Sequence, residues 1–266
     1  VRYAAILLAF GCGRPEAAPA PADGCPSERS LGEGLTAARV PLSGGECIDV
    51  VRADPARFRL RVLTAARDGS SHPAPAWRET FHLTAVINAG MFHADGAPVG
   101  LIIENGVPVG RDNKSFGGVL AWDPKSPDDP PIVLTGRDCD GFDLTALRSH
   151  YRSLVEDPRL LGCGGEALPW SDPKRYSAAA IGLDRSGRIV LLHARAALTM
   201  TELSRALAAL DLAGALFLEG GPEASLVVQG DSGEMARVGS YETGFLENDN
   251  NRAFWWLPVV IALQPR

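Results

Sequence analysis

The sequence predicts an α+β fold, a strand-rich single domain with two or more helices packed on mixed β-sheet. Three observations carry that expectation. Short apolar runs, several with a period of two, recur along the 266 residues, which is the pattern of half-buried strands. Turn pairs such as Asn105-Gly106 separate them, and both residues tolerate the positive φ of a tight hairpin. Two segments, after Asp143 and after Thr199, carry a helical period instead, so helices are present but few.

In chain order, Val50 to Thr64 places Phe58, Leu60 and Val62 on one side and Arg57, Arg59 and Arg61 on the other, a half-buried strand. Thr84 to Asn88 is a short β-rich run ending at a loop. Leu101 to Glu104 and Val107 to Val109 flank Asn105-Gly106 as a hairpin, and Lys125 to Pro131 is a Pro/Asp loop. Asp143 can cap a helix with Leu144, Leu147, Tyr151 and Leu154 on one face. Ala179 to Leu183 and Ile189 to His193 form a second hairpin. Thr199-Met200-Thr201-Glu202 fits a capping box, opening a helix with Leu203, Ala206, Leu207 and Leu210 on one face that Gly214 ends. Ala215 to Leu218 is an apolar strand, and Trp255 to Leu263 a last strand with Pro258 at an edge or bulge.

Apolar residues are 45% and charged residues 22% of the chain, ordinary for a globular protein and enough for a substantial core. A formal charge of -6 argues against nucleic acid as a partner, because phosphate backbones need a basic face. A small phosphorylated ligand needs only one or two local cations. Arg2, the apolar run Tyr3 to Phe10 and Gly11-Cys12 read as a secretory signal over residues 1–11. Cys12 is then a lipidation site, since its surroundings resemble a bacterial lipoprotein box. Residues 12–31, rich in Pro and Ala between Arg14 and Pro26, read as a tether, and residues 32–266 as the domain. The expected location is therefore exported, periplasmic or outer envelope, held to a membrane by an N-terminal lipid. Without Cys12 four cysteines remain, with three possible connectivities. Nearness in sequence suggests Cys25–Cys47 and Cys139–Cys163, as an oxidising compartment allows. No Cys-x-x-Cys occurs and the five histidines lack ligand spacing, so no metal is assigned. No dinucleotide or phosphate-loop fingerprint occurs either, so no cofactor is expected.

Two strand exits carry the chemistry. Glu219-Gly220-Gly221-Pro222 follows a buried strand, delivering a carboxylate to an edge where glycines let a ligand approach the backbone. Asn88-Ala89-Gly90 likewise follows a strand, and an amide that donates and accepts suits sugar hydroxyls or phosphate oxygens. Met91 and Phe92 read as packing residues, and His93 with Asp95 as a solvated turn.

The two loops and their neighbours resemble the phosphodiester glycosidase family. Asn88-Ala89-Gly90-Met91-Phe92, Pro98-Val99-Gly100-Leu101 and Asn105-Gly106 are similar to its opening motif. Pro158-Arg159-Leu160-Leu161 resembles its middle segment. Ile181 to Gly187 with Ile189 to His193 resembles its central hairpin, and Thr201-Glu202-Leu203 with Glu219-Gly220-Gly221 its late helix and acidic loop. The likeness runs from Ala85 to Leu263 in the right order. It departs in three places. The family's usual Asp-Gly-Gly-Gly-Ser is Glu219-Gly220-Gly221-Pro222-Glu223 here. Its usual Arg before the hairpin is Ala178, and its usual Gln before the Pro-x-Leu segment is replaced by Val155-Glu156-Asp157. Arg175 or Arg159 are the candidates to replace the missing guanidinium.

The resemblance implies a hydrolase that cleaves a sugar from a phosphodiester, with a carbohydrate or sugar-phosphate ligand. The leaving phosphate monoester is a weak base and needs less protonation than a sugar alkoxide, so one well-placed carboxylate plus donors on the phosphate suffice. Glu219 is expected as that carboxylate, with Asn88 positioning the substrate. Gly90, Gly220, Gly221, Glu104 and Arg175 are the expected binding residues, and Glu223 and Glu104 the reserve acids. Loss of the Arg at Ala178 favours the rival expectation, a non-catalytic glycan-binding or interaction module on the same fold. Gly230-Asp231-Ser232-Gly233 has the look of a serine-protease nucleophile turn, but without a matching His motif it reads as a hairpin turn.

Overall fold

The computed structural model describes residues 24–266. The expected signal segment, Cys12 and the tether up to residue 23 lie outside the described residues. In the first third, strands β1 (Arg29–Gly32), β2 (Leu35–Pro41), β3 (Cys47–Ala53) and β4 (Phe58–Thr64) lead into helices α1 (Ala65–Asp68) and α2 (Ala74–Thr80). The middle runs through β5 (Ala85–Asn88), β6 (Ile102–Glu104), β7 (Val107–Val109), β8 (Gly118–Pro124), β9 (Ile132–Gly136), α3 (Leu144–His150) and β10 (Tyr151–Asp157). The last part contains β11 (Arg175–Asp184), β12 (Ile189–Thr199), α4 (Met200–Ala208), β13 (Leu212–Gly220), β14 (Ser225–Gly230), β15 (Gly233–Val238) and β16 (Val259–Pro265).

The strands form three antiparallel sheets, in the orders β1-β2-β3-β12-β11-β13, β7-β6-β10-β8-β9 and β15-β14-β5-β16-β4. All three face one core. Ile181, Leu191 and Leu216 of the first sheet, Leu120 and Val155 of the second, and Ile87, Leu226 and Ile261 of the third meet there. The period of two decides which face each residue takes. Along β16, Val259, Ile261 and Leu263 enter that core, while Val260 and Ala262 pack with Trp77 of α2. Helix α4 covers the outer face of the first sheet through Leu203 and Leu207. Helix α3 sits beside the second through the partly buried Leu144 and Leu147. No helix among the described residues is long and apolar enough to cross a membrane.

Several elements differ from expectation for readable reasons. Asp143 does cap α3, accepting from the Thr145 and Ala146 N–H groups, but the helix stops at His150 and Tyr151 starts β10. Both faces of β10 are buried, Leu154 in one cluster and Val155 in another, so its continuous apolar run mimics helical spacing. Helix α4 has the capping box of Thr199 and Glu202 but ends before Gly214, which lies inside β13. A Cβ at Gly214 would stand 2.7 Å from Leu134 Cδ2, so close packing of β13 on the second sheet accounts for that glycine. The run Val50 to Thr64 is two strands in different sheets, broken where Asp54 accepts from Ala56, Arg57 and Phe58. The last strand starts at Val259, after Pro258.

Both suggested disulfides are present, Cys25–Cys47 with a Cα–Cα distance of 5.9 Å and Cys139–Cys163 with 5.6 Å. The first ties residues expected as tether into the fold. With β1 starting at Arg29, the folded part begins ahead of residue 32. Asp138 lies beside the second pair as a potential metal-ligating group, but sulfurs joined in a disulfide are not thiolates and cannot serve as zinc ligands.

Candidate functional site

The two loops singled out in the sequence meet. β5 pairs with β14 through Ile87 and Leu226, which sets Asn88 opposite the start of β14. The Asn88 carboxamide oxygen accepts the Ser225 N–H at 2.9 Å. Asn88 is 1% exposed, and its Nδ2 has no partner among the described residues. A buried amide donor left free is costly unless something binds it. Ser225 follows the short 3-10 turn Gly221–Glu223, so this one side chain fixes the loop that leaves Glu219.

Glu219 stands at the end of β13, where Gly220 pairs with Ala178 of β11. Ala178 is fully buried in that position, so no guanidinium reaches Glu219 from there. Beyond β10 the chain runs back along β13. The Phe217 N–H donates to the Pro158 carbonyl at 2.8 Å, and Arg159 bridges Leu216. That pairing carries Asp157 to the side of Glu219. Asp157 also faces the first loop, because a Cβ on Gly90 would collide with its carboxylate. Gly221 has φ +70°, and a Cβ there would lie 2.5 Å from Glu242 Oε2. Both glycines are therefore required by carboxylates that press on the backbone. Asp157, Glu219, Glu223 and Glu242 form one acidic group, delivered by β10, β13, the 3-10 turn and the loop after β15.

Crowding changes their ionisation. Burial, then the charges of Glu223 and Glu242, pushes Glu219 up to about 8, against the Gly220 N–H that stabilises its carboxylate. Burial and Glu242 push Glu223 up to about 7. Burial, then Glu219 and Glu156, raises Asp157 well above the usual carboxylate range. Burial raises Glu242 while Lys174 opposes it. Near neutrality the group thus holds both protonated carboxyls and ionised carboxylates, the condition that acid–base chemistry by paired acids needs. Beneath the turn, His193 is fully buried and faces the Ala224 carbonyl through Nε2 at 3.2 Å. Burial holds its pKa down at about 4, so it is a neutral structural group.

Other expected residues lie elsewhere. Glu104 is 2% exposed. It pairs with Arg61 at 2.7 Å and accepts the Val62 N–H, so its carboxylate is committed to joining β6 to β4. Arg175 is the first residue of β11, but its guanidinium donates to the Ala197 carbonyl and to Glu202 at 2.7 Å. Arg159 is held by Asp138 and both sulfurs of Cys139–Cys163. Asp95 closes its own turn on the Ala97 N–H. Sequence reasoning missed Asp157 and Glu242 as members of the group. For Asp157 the signal was present, an acid at a strand end directly before Pro158-Arg159.

A family model described as phosphodiester glycosidase matches residues 81–263. The chain belongs to the phosphodiester glycosidase family. Every strand exit that builds the acidic group lies within that match. A hypothetical protein from Synechocystis has a similar structure, with a TM-score of 0.63 and 16% identity over 88% of this chain and 62% of its own. The zebrafish N-acetylglucosamine-1-phosphodiester alpha-N-acetylglucosaminidase catalytic domain, in a form auto-inhibited by its pro-peptide, gives a TM-score of 0.62. Its identity is 15% over 91% of this chain and 87% of that domain. At such identity these likenesses speak for the fold of this family member. No curated protein matches the chain.

Proposed function

We propose that this family member hydrolyses sugar phosphodiesters, cleaving the bond between a sugar's anomeric carbon and a phosphate. The observation that carries this reading is the Glu219 carboxyl, held protonated to about 8 inside a group of four acids. A phosphodiester is an anion and would be repelled by four ionised carboxylates. Protonated carboxyls instead donate hydrogen bonds to its oxygens. In this mechanism Glu219 gives its proton to the bridging oxygen as the sugar–oxygen bond breaks, and the phosphate monoester leaves. Glu223, half ionised near neutrality, takes a proton from the water that attacks the anomeric carbon. Asn88 orients the substrate through Nδ2, and Gly90, Gly220 and Gly221 let it approach the backbone. Lys174, whose charge is felt at Glu242, supplies the local cation that Ala178 does not. Glu104 and Arg175, committed to internal pairs, take no part in this mechanism.

The remaining sequence features fit an exported, bacterial-type envelope protein lipidated at Cys12. Two disulfides are compatible with that compartment. The test is hydrolysis of a sugar methyl phosphodiester by purified protein. Glu219→Gln keeps the shape and removes the proton, and is expected to lower kcat at least about a hundredfold. Full rate in that variant overturns the assignment. Saturable glycan binding with no turnover in the unmodified protein would instead support the non-catalytic module, which the loss of a guanidinium at Ala178 favours.

A further inference from the structure

Two of the three most exposed large apolar side chains of the described residues lie on the loops beyond the acidic group. Phe245 is 63% and Trp256 66% exposed. Phe245 belongs to the same tight loop as Glu242, its N–H donating to the Glu242 carbonyl at 3.1 Å. Its ring meets Trp255 edge to face, with centroids 5.9 Å apart and planes at 83°. Trp256 follows and stacks on His72 at 6.3 Å. The aromatic stripe therefore starts beside the Glu242 backbone and leads away from it.

The stripe is held in place from below. The Ser177 hydroxyl accepts the Ser240 and Tyr241 N–H groups at 2.9 and 3.2 Å. Asn251 Nδ2 ties the Gly239 and Ala253 carbonyls together at 2.7 and 3.1 Å. Exposed aromatic groups on a fixed backbone mark a binding surface, and rigid rings lose little freedom on contact. The polarised C–H groups of a pyranose ring suit the negative face of an aromatic ring. Among the exposed neighbours, Asn248 and Asn250 offer amide donors to sugar hydroxyls, while the Asp249 carboxylate is paired with Arg195 at 2.7 Å and Glu247 accepts the Gly244 N–H. A membrane-inserting aromatic patch is normally flanked by Lys and Arg free to meet lipid headgroups, whereas the nearby exposed Arg252 is turned onto its own loop, donating to the Asp249 and Asn251 carbonyls and pairing with Asp249.

We propose that Phe245, Trp255 and Trp256 form a sugar-stacking platform at the mouth of the Glu219 site, so that the substrate is a saccharide longer than the single unit at the cleaved bond. This rests on the reading of the site as a phosphodiester glycosidase, and it assigns that site its substrate class. The test compares Phe245→Ala and Trp256→Ala in the full chain, both at exposed positions, with Val107→Ser as an exposed apolar control on the β6–β7 hairpin. The substrates are the methyl phosphodiesters of a monosaccharide and of a trisaccharide. In both aromatic variants kcat/KM for the trisaccharide substrate should fall about tenfold more than for the monosaccharide, with the control unchanged on both. Equal losses on the two substrates, or none, overturn the platform. If the unmodified protein cleaves neither substrate, the hydrolase reading fails separately. The platform is then judged by calorimetric binding of maltotriose and chitotriose. Binding weakened about tenfold in the variants supports it, and no binding by the unmodified chain overturns it. Loss of sedimentation with phosphatidylglycerol vesicles, with trisaccharide kinetics and binding intact, also overturns it in favour of a membrane contact.

Discussion

The Asn88 side chain and the Ser225 backbone are joined by a 2.9 Å hydrogen bond that closes the loop after β5 against the loop after β13. The acceptor half of the amide is structural, and the donor half has no partner among the described residues. Two substitutions separate these roles. Asn88→Asp keeps an acceptor for Ser225 but exchanges the amide donor for a buried carboxyl, so activity near neutrality should fall at least about tenfold, while stability should change little only at low pH, where that carboxyl is protonated. Asn88→Ala also strands the buried Ser225 N–H and should cost about 1–3 kcal/mol in addition. Urea unfolding beside steady-state kinetics checks both. Equal stability loss in the two variants at low pH would contradict the division.

The acidic group makes stability fall with rising pH. Glu219 and Glu223 bind protons more tightly in the folded chain, with values of about 8 and 7 against 4.5 for an ordinary glutamate. Their stabilising contribution is complete below the unfolded value and is lost as pH rises through the folded values. His193 acts oppositely. Its pKa is lowered to about 4, so its contribution is present above the unfolded value of 6.5 and is lost as pH falls through 4. From these three groups Tm should therefore peak at roughly pH 4 to 5 and fall above it, and Glu219→Gln should flatten the alkaline limb alone. A thermal melt series from pH 4 to 9 reads this directly, and an unchanged alkaline limb in that variant would contradict it.

The strand exits bearing Asn88 and Glu219 were legible because each follows a short apolar run and ends in residues that suit a turn. The hairpins around Asn105-Gly106 and Asp184 to Arg188, and the Thr199 capping box, were legible from local turn and cap chemistry. Long-range pairing was not. Asp157 reaches Glu219 only because the chain after β10 aligns with β13, and Glu242 arrives on a loop with no periodic signal. Glu104 shows the converse. A polar residue at a strand end next to Asn105-Gly106 reads as an available acid, whereas its partner Arg61 is 43 residues away.

That partner defines a prediction of its own. Glu104 is buried while Arg61 is partly exposed, and the Glu104 carboxylate also serves the Val62 N–H at 3.3 Å. Removing one member of a buried pair leaves the other uncompensated, with losses of about 3–5 kcal/mol when both are fully buried. Partial solvation of Arg61 lowers the expectation for Glu104→Ala to about 2–3 kcal/mol. Chemical denaturation should show that loss. Because the pair does not touch the acidic group, kcat at a temperature where the variant stays folded should match the unmodified protein. A selective loss of kcat without loss of stability would return Glu104 to the list of substrate-binding residues.

Arg159 links the second disulfide to the site. Its Nη1 lies 2.9 Å from Cys139 Sγ and 3.4 Å from Cys163 Sγ, and the side chain is 5% exposed. Its stem packs against Gly118, which pairs with Asp157. The cystine thus helps hold a buried guanidinium two residues from a member of the acidic group. Replacing both cysteines by serine should cost about 2–4 kcal/mol, since the bridge closes a loop with a sequence separation of 24. The same change in Cys25 and Cys47 should cost a similar amount, since its separation is 22. The two should differ in function. Freed from the sulfurs, Arg159 loosens the segment that places Asp157, so the Cys139/Cys163 variant should lose several-fold in kcat at temperatures where it remains folded. The Cys25/Cys47 variant should retain it. Equal kcat in the two variants would show that the cystine acts on stability alone and that Arg159 does not position Asp157.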